Sequence, residues 1–126
     1  MAPEIIFTEH APKAIGPYSQ AVKANGFVYV SGQIPINPKS GELVKSGIAD
    51  EVHQVMKNLS AIVEKSGSSL SKVLKTTIYL KDMNDFDAVN KVYGEYFTDH
   101  KPARACVQVA KLPKDVSVEI DAVCIC

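Results

Sequence analysis

The chain has 126 residues, 14 basic and 14 acidic side chains, and a formal net charge of zero. This length suffices for one domain with its own core, so residues 1–126 are expected to form a single domain. The charges form no basic block, which argues against nucleic acid as a partner because that binding depends on clustered cations. No apolar run is long enough to cross a membrane, and the N-terminus lacks the pattern of a signal or transit peptide.

Cysteine and histidine usage bears on compartment and on metal binding. The odd number of cysteines, at Cys106, Cys124 and Cys126, favours a reducing compartment, so a cytoplasmic protein is expected. The Cys-Ile-Cys segment does not have the spacing of a metal site, and the three histidines stand apart in the sequence. The sequence therefore predicts neither a metal site nor a cofactor.

The first half of the chain predicts a β-hairpin followed by a helix. Residues 21–24 and 27–30 are rich in β-forming side chains and flank an Asn-Gly pair at 25–26, which is typical of tight hairpin turns. A proline-containing loop follows. From 48 to 66 apolar residues recur every three or four positions, which predicts an amphipathic helix that ends before Gly67.

The second half predicts a strand over 73–80, a helix over 85–98 and two strands over 103–109 and 116–125. The second helix has a buried stripe, with Asn90 on the same side, formed by Phe86, Val89, Tyr93 and Phe97. The order β-β-α-β-α-β-β indicates an α+β fold, ferredoxin-like in layout, with one mixed sheet and two helices on one face. Local order alone favours a simple hairpin between the last two strands.

Arg104 is the most informative residue, because the other 13 basic residues are lysines. It lies inside an apolar strand, where a planar fork of donors suits a carboxylate or phosphate in a way that lysine does not. Side chains alternate along strands, so Arg104, Cys106 and Gln108 share one face and Glu119 shares a face with Ser117. We expect Arg104, Cys106 and Glu119 together on the face without helices, a face that usually meets another subunit.

Each candidate also has an ordinary structural interpretation. Arg104 and Glu119 could form an internal ion pair, since structural networks also gather charge. Cys106 could be a small buried apolar residue, because no histidine stands near it in sequence to activate the thiol. Tyr18 could be a packed turn aromatic, Asn90 a satisfied hydrogen-bonding group, and Ser31-Gly32 a strand end.

Three segments carry a resemblance to a known family. They are Gly16-Pro17-Tyr18-Ser19-Gln20-Ala21, Ser31-Gly32-Gln33-Ile34-Pro35, and Pro102-Ala103-Arg104-Ala105-Cys106-Val107 continuing through Leu112-Pro113-Lys114-Asp115 to Val118-Glu119-Ile120. In order and spacing they closely resemble the RidA family (reactive intermediate deaminase A, also called YjgF-type). The match covers nearly the whole chain.

The resemblance implies a chorismate-mutase-like fold and a homotrimer whose sheets pack into a central barrel, with active sites in clefts between subunits. It also implies that the last strand inserts between the first strands and the middle one, instead of pairing as a local hairpin. The implied activity is hydrolysis of 2-imino acids or their enamine tautomers, such as 2-aminoacrylate, 2-iminopropanoate and 2-iminobutanoate, to 2-keto acids and ammonia.

Site roles follow from the same resemblance. Arg104 would bind the substrate carboxylate, Glu119 would position water and assist proton transfer, and the Cys106 backbone, more than its thiol, would hold substrate and water. The cleft would be lined by Ala105, Tyr18, Ser31, Gly32 and Asn90. Glu119 is expected to stay ionised beside Arg104. The alternative is a non-catalytic trimer that binds small carboxylates or acts in translation or as a chaperone.

Overall fold

The computed structural model describes residues 2–126, and over this range the chain forms six β-strands and two α-helices. The strands are β1 (Glu4–Ile6), β2 (Ala21–Ala24), β3 (Phe27–Gln33), β4 (Val73–Leu80), β5 (Ala103–Gln108) and β6 (Val118–Ile125), and the helices are α1 (Ile48–Lys65) and α2 (Phe86–Tyr96). The predicted hairpin is confirmed: β2 and β3 pair through a turn at Asn25 and Gly26, whose φ angles are 53° and 81°. The strand β1 was not predicted from the sequence.

The strands form one mixed sheet in the order β1-β2-β3-β6-β4-β5. Every pairing is antiparallel except that of β4 with β5. The hairpin favoured by local order is therefore wrong, and the inserted position of β6 is confirmed. Burial explains the arrangement, because a central strand needs an apolar face and β6 offers one at Val118, Ile120, Ala122 and Cys124, all at most 4% exposed.

Both helices cover the same face of the sheet, as predicted. The helix α1 begins after Gly47 and ends before Gly67, whose φ of 91° is the left-handed conformation that favours glycine. Its apolar stripe packs on the sheet through residues that include Val55, Met56 and Leu59. No helix among the described residues is long and apolar enough to cross a membrane. The other face, here called the open face, carries exposed apolar side chains at Tyr29 and Ile125.

The predicted face of β5 is wrong. In the parallel pairing Arg104 lies beside Thr76 and Cys106 beside Ile78, and both of these β4 residues are buried under the helices. Arg104 and Cys106 therefore lie on the helix-covered face. The β5 residues on the open face are Ala103, Ala105 and Val107. Glu119 of β6 pairs with Tyr79 of β4 and does lie on the open face, so it is separated from Arg104 by the sheet.

Candidate active site

The Arg104 side chain is held in place at the sheet edge by α2. Its Nη1 donates a 2.6 Å hydrogen bond to Asn90 Oδ1. The guanidinium carbon lies 5.2 Å from the centre of the Tyr93 ring and 5.6 Å from that of the Phe86 ring. At these distances the faces of aromatic rings attract a cation. Three groups from one helix thus orient the guanidinium while the residue itself remains exposed.

The Arg104 guanidinium borders an open hollow of about 310 Å³, here called the arginine hollow. It is lined by Asn90, Tyr93, Gly94, Phe97, Lys101, Pro102 and Arg104. The one ion pair among residues 2–126 joins Lys81 to Asp115 at 3.1 Å, so the internal pair between Arg104 and Glu119 does not form. The guanidinium is free to bind an external carboxylate.

Glu119 borders a second hollow of about 460 Å³, here called the glutamate hollow. It is lined by Ile15, Tyr18, Ser31, Gly32, Ile34, Pro113 and Glu119. The register of β3 against β6 shifts between Val30 and Gln33, which is a β-bulge at Ser31-Gly32. A Cβ atom placed on Gly32 would overlap Glu119 Oε2, so glycine is what allows the carboxyl to lie against the bulged backbone.

The environment of Glu119 raises its pKa. Burial is the larger cause, and the negative charge of Asp121 on the same face of β6 adds to it. Asp121 accepts a 3.0 Å hydrogen bond from the Tyr79 hydroxyl. Within a single chain the Arg104 guanidinium lies across the sheet and does not offset these causes, so the expectation that Arg104 keeps Glu119 ionised stays a prediction for an assembly of chains. A carboxyl of this kind takes up and releases protons closer to neutrality than an exposed glutamate.

The Cys106 thiol is partly buried against the core on the helix-covered face. Burial raises its pKa, and the positive charge of Arg104 offsets only part of this effect. The thiol is therefore protonated at neutral pH and is a poor nucleophile. Ala105 lies on the open face and, like Cys106, lines neither hollow.

Two further residues of the glutamate hollow make local contacts. Tyr18 is 48% exposed, and its hydroxyl accepts a hydrogen bond of 3.2 Å from the Ile15 backbone N–H. The Ser31 hydroxyl donates a 2.6 Å hydrogen bond to the Ser19 carbonyl. Tyr18 is therefore not packed in the core. The hydrogen bond from Ile15 holds its ring at the mouth of the hollow.

The structure divides the predicted site residues into two groups that share no hollow. Tyr18, Ser31, Gly32 and Glu119 lie together, and Asn90 and Arg104 lie together on the other side of the sheet. Sequence reasoning did not assign site roles to Phe86, Tyr93 or Asp121. The signals for them were available: the first two lie on the same side of α2 as Asn90, and Asp121 is two residues from Glu119 on one strand.

Within residues 2–126 no three His, Cys, Asp or Glu side chains are grouped as metal ligands. The fold and the free arginine define a small α+β protein of the chorismate-mutase-like class with a site suited to a small acid. A family model described as "Endoribonuclease L-PSP" matches residues 8–126. The chain therefore belongs to this family, the RidA or YjgF family, and the predicted resemblance is confirmed.

Named relatives and solved structures agree with this assignment. A RutC family protein of Pyrococcus horikoshii is 59% identical over 120 residues, covering 95% of both chains. The 2-iminobutanoate/2-iminopropanoate deaminase of Escherichia coli K12 is 49% identical over 123 residues, again covering 95% of both chains. The crystal structure of a putative endoribonuclease from Thermotoga maritima matches with a TM-score of 0.96 at 49% identity, covering 98% of this chain and 97% of that one.

Proposed function

We propose that this chain hydrolyses reactive 2-imino acids and their enamine tautomers, such as 2-aminoacrylate, 2-iminopropanoate and 2-iminobutanoate, to 2-keto acids and ammonia in the cytoplasm. The observation that carries the proposal is the Arg104 guanidinium, which is oriented by Asn90 and two rings, has no carboxylate partner and faces a hollow. A carboxylate is the group that such a fork binds through paired hydrogen bonds. The name of the Escherichia coli relative supports the choice of substrate.

The chemistry suits the side chains present. Water adds to the electrophilic imine carbon to give a carbinolamine, and then the carbon–nitrogen bond breaks to release ammonia and leave the keto group. Glu119 accepts a proton from the attacking water and returns one to the departing nitrogen, so the reaction consumes one water and needs no redox partner. A positioned acid–base group contributes about 10²–10⁴-fold, and the raised pKa of Glu119 suits it to both directions of proton transfer.

The two hollows form one site only if they come from different copies of the chain. We place the arginine hollow of one protomer against the glutamate hollow of the next in a homotrimer whose open faces pack together. The exposed apolar residues of the open face support this arrangement, with Tyr29 at 50%, Val107 at 43% and Ile125 at 40% exposure. The Arg104 guanidinium and the Glu119 carboxyl then face one substrate from opposite sides.

A direct assay tests the activity. A serine dehydratase generates 2-aminoacrylate, and the lifetime of the imine is followed with and without this protein. Wild-type protein is expected to shorten the lifetime in proportion to its concentration. No acceleration would refute the deaminase activity. It would favour the alternative, a trimer that binds small carboxylates without turning them over, and binding of 2-oxobutanoate to the protein would test that alternative.

A mixing experiment tests the shared site. Arg104→Ala and Glu119→Gln are each expected to be nearly inactive, and the two variants are unfolded and refolded together so that their subunits mix. A random mixture pairs one intact arginine hollow with one intact glutamate hollow in about a quarter of sites, so about a quarter of wild-type activity should return. Activity that stays at the level of the separate variants would show that each site lies within one chain.

A further inference from the structure

A third hollow, of about 440 Å³, lies at the end of the sheet where α1 begins. It is lined by Leu43, Val44, Lys45, Glu51, Lys114, Asp115, Val116 and Ser117. None of these residues lines the arginine hollow or the glutamate hollow. We call it the Glu51 hollow. Its volume falls in the range of about 300–1,000 Å³ that small-molecule sites occupy.

Glu51 is an acidic group without a cationic partner in this hollow. The residue is 9% exposed, and the Ser117 backbone N–H donates a 3.3 Å hydrogen bond to its Oε1. No lysine or arginine of residues 2–126 forms an ion pair with it. Burial is the main cause that raises the pKa of Glu51. A buried carboxylate without a counter-charge is unfavourable, so a positive group from a ligand would be stabilising here.

Two cationic groups of the same hollow are also unpaired in the described structure. Lys45 and Lys114 both line it, and neither forms an ion pair with a described residue. The nearby carboxylate of Asp115 is already bonded to Lys81 at 3.1 Å. Apart from Asp115, the hollow therefore presents one carboxylate and two ammonium groups that form no ion pair with one another.

The remaining wall is apolar. Val116 belongs to a small buried cluster with Ile34, Ile36 and Leu112, and Leu43 packs against that cluster. A short apolar side chain that lies on Leu43 and Val116 would extend the cluster. A polar or long charged side chain would gain nothing from this wall.

We propose that the Glu51 hollow binds an α-amino acid with a small apolar side chain. The ammonium group of the ligand binds the Glu51 carboxylate, its carboxylate binds Lys45 and Lys114, and its side chain packs on Leu43 and Val116. This arrangement pairs each unsatisfied charge of the hollow with its opposite. The site is separate from the proposed deaminase site and does not depend on that activity.

The probe is L-valine, titrated into the full-length protein while backbone amide signals are followed by NMR. The Ser117 amide should shift and saturate, because its N–H bonds to the carboxyl that receives the ammonium group. Isobutylamine lacks the carboxylate and 3-methylbutanoate lacks the ammonium, so each should bind about tenfold more weakly or worse. Equal binding of either half-molecule would overturn the proposal, as would the absence of a saturable shift at Ser117.

Three variants, one of them a control, locate the charges. Glu51→Gln keeps an acceptor for the Ser117 N–H but removes the charge, so valine binding should fall about tenfold or more while the melting temperature holds or rises. Lys45→Ala should weaken valine binding, and Lys111→Ala, at an exposed lysine outside the hollow, should not. Unchanged binding in Glu51→Gln would refute the site.

The same titration in Arg104→Ala separates this site from the arginine hollow. Valine should still shift the Ser117 amide there with unchanged affinity. Shifts confined to the amides of Gly32 and Glu119, or lost with Arg104, would show that valine occupies the deaminase site, and the proposal would be overturned. If the protein does not shorten the lifetime of the imine but still binds valine, the proposed deaminase activity is refuted and the Glu51 hollow remains supported as a valine site.

Discussion

The two halves of the candidate site hold their charged groups in different ways. In the arginine hollow a hydrogen bond donated to Asn90 Oδ1 and the rings of Phe86 and Tyr93 orient the guanidinium. In the glutamate hollow burial and Asp121 raise the pKa of Glu119, whose carboxyl lies against a glycine bulge. The first environment favours a fixed charge that binds an anion, and the second favours a group that changes its protonation state. Binding and proton transfer are thus assigned to separate elements of one fold.

Replacing glycine by alanine should have a much larger effect on turnover in the glutamate hollow than in the arginine hollow. In Gly32→Ala the new Cβ overlaps Glu119 Oε2, and the carboxyl must move because it is the flexible end of its side chain. We expect kcat for 2-iminobutanoate to fall by about 10²-fold or more, as when a general acid–base group is lost. Steady-state kinetics and circular dichroism would show an inactive protein that remains folded.

Gly94→Ala is the matched control in the arginine hollow. A Cβ at Gly94 has no heavy atom within 4 Å, and the residue lies inside α2, where alanine is favoured over glycine by about 1 kcal/mol. We expect a higher melting temperature and a much smaller change in kcat than in Gly32→Ala. Equal losses in both variants would show that filling space, and not displacement of Glu119, causes the effect.

Arg104→Lys tests the binding half. Lysine keeps the positive charge but loses the planar fork, so one charge-assisted hydrogen bond of about 1.5–3 kcal/mol is lost, or about 10–150-fold in kcat/KM. Binding of 2-oxobutanoate, measured by calorimetry, should weaken by a similar factor, whereas Glu119→Gln should reduce turnover more than this binding. Full activity of Arg104→Lys with 2-iminobutanoate would exclude the proposed role of the guanidinium.

How far the fold could be predicted depended on the strength of each local pattern. The Asn25-Gly26 turn and the apolar stripe of α1 are strong signals, and both elements formed where they were expected. The strand β1 has only three residues, Glu4–Ile6, too few for an alternating pattern to stand out. The strand β6 was assigned to the correct face because one of its two sides is continuously apolar.

The site was harder to predict than the fold, and β5 shows why. Alternation fixed which residues of Ala103–Gln108 share a side, but the apolar side, formed by Ala103, Ala105 and Val107, lies on the open face and not under the helices. Parallel pairing with β4 decided which side meets the helices, and such long-range pairing cannot be read from the strand itself. The identities of Arg104 and Glu119 could therefore be predicted from motifs, whereas their separation by the sheet and the raised pKa of Glu119 could not.

Asp121→Asn tests whether Glu119 in the glutamate hollow is the base of the reaction. The charge of Asp121 raises the pKa of Glu119, so its removal should lower that pKa. If ionised Glu119 is the base, kcat/KM falls as pH drops through the pKa of Glu119, and the acid limb of the profile should move to lower pH in this variant. Asp87→Asn, at an exposed position on α2, should leave the limb in place. A limb that moves upward or stays fixed in Asp121→Asn would contradict the assignment of Glu119 as the base.

The smallest effect is expected for Cys106→Ala. Burial raises the pKa of the thiol, so little thiolate is present at neutral pH, and the proposed contribution of Cys106 comes from its backbone, which alanine retains. We expect kcat/KM to fall by less than the Arg104→Lys change, and iodoacetamide to inactivate the wild-type protein slowly at pH 7. Because Cys106 packs against the core, the melting temperature should fall modestly as its sulfur contacts are lost. A loss of turnover as large as that of Gly32→Ala, with the fold intact, would instead indicate covalent chemistry at the thiol and would contradict the assignment of the chemical step to Glu119.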